Sequence, residues 1–539
     1  MLWAAWPAGA QTNPAADRLL RTRNAAEKAA SGRNAESAHF GAVGYDAAQG
    51  NLEQAEPVQA APGASAKGAR PAAKPAAAPA PASSGRFSGG FLGPYPESDF
   101  TLTTGRQCSG CNAPKEGLWY FADDVIAVPK VGKPAIVWIG SHEMLEGATL
   151  SPDGKSIRLS DGSSVAFGLT PKLASNLSFY DLSSNAYFQS RPLRIRGEWA
   201  IENGERKFVA RTIWPEDIRV DFGSLTSASA VSEEDISKLV TKDDGGARTP
   251  FKTTVLWEKP GQGRAWGGKP VMGMMLNGGQ GDDDETHAGH YSMFTGKFGP
   301  KGEMADWMYD NFYDMDQYSE KGIIPSMVPM DKYMADVNSG QSWYRPTDVV
   351  VAVLKDGAIP LRIQEQYKDF YQKYYDHSVK YNRTTKPCAS LVIDLLREDN
   401  GWNIPTRGPT DVVTARLLST TVGVLGGDLQ GGRDMYQFMR QERTRLFPRA
   451  AFEATSSDLL KLAGAQGSSV ERTLTPFEKE LQENLLAILY VHLPQFPSSR
   501  AWGLHPIEDT VDYFHRNPLQ KSKWKVGGPT SPRPFPPPH

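Results

Sequence analysis

The chain has 539 residues, with 59 Lys and Arg against 61 Asp and Glu and a formal net charge of −2. A near-neutral chain carries no global basic field, which argues against a general nucleic-acid binder. Its three cysteines exclude a disulfide scaffold and a four-cysteine zinc module, and no window of about 18 apolar residues offers a membrane-spanning helix.

The first ten residues, 1–10, are apolar from Leu2 to Ala10, and Ala8-Gly9-Ala10 matches the small-x-small end of a signal peptide cleaved before Gln11. The stretch is short and no basic residue precedes it, so it reads as a signal-peptide remnant; such a leader implies a periplasmic or secreted protein. Residues 11–90 are rich in Ala and Pro, and Pro71 to Pro81 is an extended, polyproline-like run. This segment buries too little apolar surface to offset its ordering entropy, so a disordered linker is expected.

From 91 to 222 short β-branched and aromatic runs alternate with turn signals. Asp153-Gly154, Asp161-Gly162 and Asn203-Gly204 are hairpin dipeptides, whose central positions take positive φ at low cost. Arg194–Ile201 and Lys207–Trp214 flank the last of them with alternating faces, and a small all-β domain is expected over 91–222. Residues 223–250 form a polar connector with one helix over Ser232–Val240. Strands and helices mix over 251–402: Thr253–Trp257 and Val349–Leu354 read as buried strands, Gln364–Tyr375 as a helix. Residues 403–517 read as helical. Thr475-Pro476-Phe477-Glu478 is a strong helix start, with a capping Thr, Pro at the first helical position and Glu three residues after the cap. Its helix is expected to run through Leu481, Leu485, Ile488 and Leu489. Residues 518–539 are a loose Pro-rich tail. The fold class expected is α+β.

Cys388 precedes the helical run Ala389–Arg397, with Pro387 suited to the first turn and Thr384 or Thr385 to the cap. A thiol there meets unpaired N–H groups and the positive end of the helix dipole, which favour the thiolate. A lone cysteine is more often a small buried apolar residue. A nucleophilic thiol needs a base. His287 and His290 open a strand after the loop Gly278–Glu285, and Gly289 permits close backbone approach beside His290. Trp307–Tyr313 reads as the partner strand, from which Asn311 is a candidate to orient the imidazole as the third member of a triad.

Gly289-His290-Tyr291 at a strand start, followed about a hundred residues later by Thr-x-x-Cys at a helix start, resembles the permuted papain-like cysteine hydrolases. These include the NlpC-type cell-wall peptidases and the lecithin:retinol-acyltransferase-like enzymes. The resemblance covers 251–402. It implies a permuted papain-like core in which a Cys–His pair and a polar orienter act on an amide, ester or thioester. Cys388 would be the nucleophile, His290 or His287 the base, and Asn311 the orienter. The chain departs from many members in carrying Pro387 just before the cysteine. The substrate implied is a cell-envelope one: a peptidoglycan peptide, a lipoprotein or a lipid acyl group.

Cys108-Ser-Gly-Cys111 is a CxxC, which alone fits a redox pair, half a zinc site or a local disulfide. In an exported protein a structural disulfide between Cys108 and Cys111 is expected, leaving Cys388 as the odd thiol. Gly281–Glu285 lacks the spacing of a calcium loop and reads as a solvated acidic loop. No cofactor and no metal ligand set is expected. The function expected is a cysteine-nucleophile hydrolase or acyltransferase of the cell envelope; the alternative is a non-catalytic envelope binding protein on a degenerate papain-like core. A CxxC redox protein ranks last, because a loop rather than a helix follows Cys111.

Overall fold

The computed structural model describes residues 143–169, 182–189, 191–240, 249–278, 289–314, 323–335, 346–375, 387–425, 427, 429–495 and 506, together with five short strands before residue 143. The expectations for 1–10, for most of 11–90, for 518–539, for the Cys108–Cys111 disulfide, for the loop Gly281–Glu285 and for His287 lie outside the described residues. The five early strands are β1 (Arg86–Phe87), β2 (Phe91–Leu92), β3 (Phe100–Thr101), β4 (Val125–Pro129) and β5 (Val137–Gly140). Because β1 pairs with β2, ordered pairing begins within the last residues of the segment expected as linker.

Five strands close a small barrel: β6 (Glu143–Leu150), β7 (Ser156–Arg158), β8 (Ser164–Leu169), β9 (Leu193–Glu202) and β10 (Glu205–Pro215), in the order β10-β8-β7-β6-β9. The helix α1 (Leu182–Phe188) lies between β8 and β9. All three expected hairpin dipeptides sit at strand joins. Only Asn203-Gly204 has positive φ at both central positions, 54° and 82°; at the other two joins the glycine alone is left-handed. That pair therefore makes the primed turn that suits strand twist.

The rest is one eleven-stranded sheet. Its further members are β11 (Thr226–Ser227), β12 (Lys252–Glu258), β13 (Pro270–Asn277), β14 (His290–Lys297), β15 (Met308–Asp314), β16 (Ile323–Pro329), β17 (Thr347–Leu354) and β18 (Leu485–Leu493). The order is β11-β12-β18-β17-β13-β14-β15-β16-β5-β4-β3. Two sequence-based boundaries are corrected here. The stretch 91–222 is not one all-β unit, since β3–β5 extend the large sheet through the parallel pairing of Val137 with Met327. The stretch 403–517 is not wholly helical. Its strong helix start is real, with the reciprocal Thr475–Glu478 capping box, but the helix stops at Asn484 and Leu485–Leu493 is a strand. That run, LLAILYVHL, is buried throughout and pairs with β12 on one side and β17 on the other. A continuous apolar run carries no period to separate the two forms.

The sheet is covered on both faces, as the fully buried β13, β17 and β18 require. One face carries Met275, Phe294, Tyr309, Val349, Val351 and Leu489, and it shares a single apolar cluster with the barrel and with helix α3 (Met330–Ala335), which follows helix α2 (Glu233–Leu239) in the chain. The opposite face carries Met274, Tyr291, Met293, Met308, Val350 and Ile488. Against it pack α4 (Ala358–Tyr375), α5 (Cys388–Asp394) and, beyond the short helices α6 (Val412–Thr420), α7 (Leu429–Met439) and α8 (Arg443–Leu446), the long helix α9 (Pro448–Leu462). The capped helix Pro476–Asn484 is α10. Barrel and sheet are also joined by charge: Arg196 Nε lies 2.6 Å from Asp331 Oδ2, and Arg194 and Arg196 both reach Asp306, at 2.6 and 3.3 Å.

Candidate active site

Cys388 is the first residue of α5. Pro387 stands at the cap with extended backbone and provides no side-chain acceptor, so the helix opens one residue later than the expected Pro-at-first-turn arrangement. Thr384 and Thr385 lie outside the described residues. Leu391 N–H donates to the Pro387 carbonyl at 3.2 Å, the first bond of the helix. The N–H groups of the first turn before Leu391 therefore have no helical acceptor, which is the electrostatic setting expected for a thiolate. Ser390 Oγ turns back to the Pro387 carbonyl at 2.9 Å. Ala389 to Ile393 are buried against the sheet, whereas Cys388 is half-buried and in no disulfide. The helix continues into a π-helical turn at Leu395–Asp399.

His290 is the first residue of β14 and is half-buried. Gly289 before it has φ 81°, and a Cβ there would stand 2.6 Å from the Asn277 carbonyl oxygen. Glycine is thus required for the chain to enter the strand this closely. Helix α5 packs on β14, so the fold sets the element that starts at Cys388 against the element that starts at His290. Their faces differ. His290 pairs with Asn277, and strand alternation groups it with Ser292 and Phe294, on the barrel side of the sheet. The helix covers the other side, with Tyr291 and Met293. The His290 side chain and the helix that begins at Cys388 thus lie on opposite faces of β14.

Asn311 lies on β15, the strand beside β14 as expected, and its backbone pairs with Ser326; its side chain is outside the described residues. Around the barrel-side end of β13 to β15 sits a hydrogen-bonded polar cluster that the sequence did not reveal. Asn277 Nδ2 donates to Thr347 Oγ1 at 2.8 Å, and Asn277 Oδ1 accepts from Tyr333 and Tyr309 at 2.9 and 3.3 Å. Ser292 Oγ bonds the Tyr309 hydroxyl, and the Tyr309 and Tyr333 rings stack with centroids 3.9 Å apart.

The helical side holds two further polar groups without a sequence signal. Asp348 Oδ1 accepts from the Tyr490 hydroxyl at 2.6 Å and lies 2.9 Å from His492 Nδ1, all three being buried. Burial first, and then the Asp348 charge, push the Tyr490 hydroxyl well above its ordinary range. Asp310 is fully buried, and among the described residues neither of its carboxylate oxygens has a hydrogen-bond partner. Burial pushes its carboxyl well above the usual carboxylate range.

Among the described residues no three His, Cys, Asp or Glu side chains converge as a metal set, and no helix is long and apolar enough to cross a membrane. No family model matches the chain, and no curated protein or solved structure matches it.

Proposed function

We propose that this chain is a cysteine-nucleophile hydrolase or acyltransferase of the cell envelope, acting on an amide, ester or thioester bond. One observation carries the reading: the helix that begins at Cys388 packs on the strand that begins at His290. The Cys388 thiolate, favoured by the first helical turn, attacks the carbonyl carbon of the substrate. The His290 imidazole takes the thiol proton and returns it to the leaving amine, alcohol or thiol. Asn311 holds the ring, and His287 is the second candidate base. The resulting thioester passes its acyl group to water or to an acceptor nucleophile. The substrate class is a peptidoglycan peptide, a lipoprotein or a lipid acyl group, and the site is periplasmic or secreted.

Iodoacetamide reactivity measured against pH tests the pair. Cys388 is expected to alkylate with a thiol pKa below the free value of about 8.5, and His290→Ala is expected to raise it. If His287→Ala raises it instead, the base moves to His287. The second reading, a non-catalytic binding protein on the same core, is favoured by the strand alternation that turns His290 away from α5. It prevails if neither histidine affects the thiol and Cys388 alkylates only on unfolding.

A further inference from the structure

The register of the central strands builds one row across the helical face of the sheet. Met274 of β13 pairs with Met293 of β14, Met293 with Asp310 of β15, and Asp310 with Met327 of β16. Side chains directly opposite one another on a sheet stand about 4.5–5.5 Å apart at Cβ. The Asp310 carboxylate is therefore flanked on both sides by thioethers, with a third beyond Met293. Met308 adds a fourth one pleat along β15, opposite Thr295. Every member of the row is essentially inaccessible to solvent. Helix α4 packs on β14 and β16 and so passes over β15 between them.

A core of methionines alone is ordinary packing, since thioethers fill irregular gaps. The carboxylate is what packing does not explain. A buried carboxyl group without a hydrogen-bond partner costs free energy whether or not it carries a charge, and among the described residues no donor meets either Asp310 oxygen. An orphaned buried polar group of this kind calls for an ion or a water to complete it.

We propose that Asp310, Met293 and Met327 bind a soft monovalent cation of the Cu(I) and Ag(I) class, with Met274 or Met308 completing the set. The chemistry selects this class in two ways. Thioethers are soft, neutral ligands that favour Cu(I) over hard cations. Calcium and magnesium need six or more oxygens, and the row offers two. The charge count also closes: one carboxylate and one monovalent cation make a neutral site, which a sheet core tolerates.

The test is a titration of the full chain with Ag(I), the redox-inert probe, under anaerobic conditions. Cys108, Cys111 and Cys388 are replaced by Ser so that thiolates do not compete. Methionine ε-methyl resonances report the site directly. One equivalent is expected to shift the Met293 and Met327 methyl signals and to raise the melting temperature by several degrees. Asp310→Asn, Met293→Leu and Met327→Leu are each expected to weaken binding at least tenfold. The Leu replacements conserve volume, so the metal-free fold should hold. Should the serine chain fail to fold, the same methyl signals are read in the unsubstituted chain, with enough Ag(I) to saturate its three thiols first. The proposal is overturned if Ag(I) leaves the methyl signals of this row unmoved, if Asp310→Asn binds as tightly as its parent, or if Ca²⁺ or K⁺ moves them equally well.

Discussion

Replacing Asp331 by Asn strikes the buried charge that ties the barrel to the sheet. Arg196 and Asp331 have no exposed side-chain surface and meet at 2.6 Å. Arg196 retains Asp306 at 3.3 Å, but that carboxylate is 31 % exposed and also serves Arg194 at 2.6 Å. Asp331→Asn keeps the shape and removes the charge, leaving a buried guanidinium short of its main anion. Breaking a buried pair from one side costs about 3–5 kcal/mol, a large share of the roughly 5–15 kcal/mol that holds a native fold. Asp306→Asn, at the partly exposed end, should cost about 1 kcal/mol or less, because water screens that position. Urea unfolding at neutral pH, followed by fluorescence of Trp214 and Trp307, which are buried in the apolar cluster shared by barrel and sheet, measures both. Arg196→Met with Asp331→Asn removes the charge and its partner together, so the double variant should lose clearly less than the sum of the two single changes. An Asp331→Asn loss below about 1 kcal/mol, at unchanged denaturant slope, would show that the network is solvated and refute the reasoning.

Two further outcomes follow from the same structure. Burial raises the Glu478 carboxyl, yet hydrogen bonds from Arg472 and from the Thr475 and Asn403 backbone N–H groups outweigh it and hold it below the usual range. A depressed native pKa means stability that is full above the unfolded value of about 4.3 and lost as pH falls through the native one; Glu478→Gln should be less stable at pH 7 and lose less of its stability than the parent between pH 5 and pH 3, as measured by urea titration. Gly302 has φ 86° and a Cβ there would run into the Val220 carbonyl, so Gly302→Ala should cost at least about 1–3 kcal/mol, seen as a fall in melting temperature.

Much of the local structure was legible in the residues themselves. Asn203-Gly204 marked its hairpin because both positions take positive φ, Thr475 to Glu478 marked a helix start through the reciprocal cap, and the β-branched Val349–Leu354 marked a buried strand. Cys388 at a helix start and His290 at a strand start were also legible, since each signal is contained in a few neighbouring residues. Tertiary structure decided what those signals meet. Leu485–Leu493 became a strand because β12 and β17 offer it two ladders of backbone partners. β5 joined the large sheet through a parallel pairing with a strand nearly two hundred residues away, which no local pattern encodes. Alternation along β14 and the packing of α5 together determined that His290 and the cysteine helix lie on opposite faces. The row from Met274 to Met327 exists only through register, because slipping any one strand by a single residue would turn its member to the other side of the sheet.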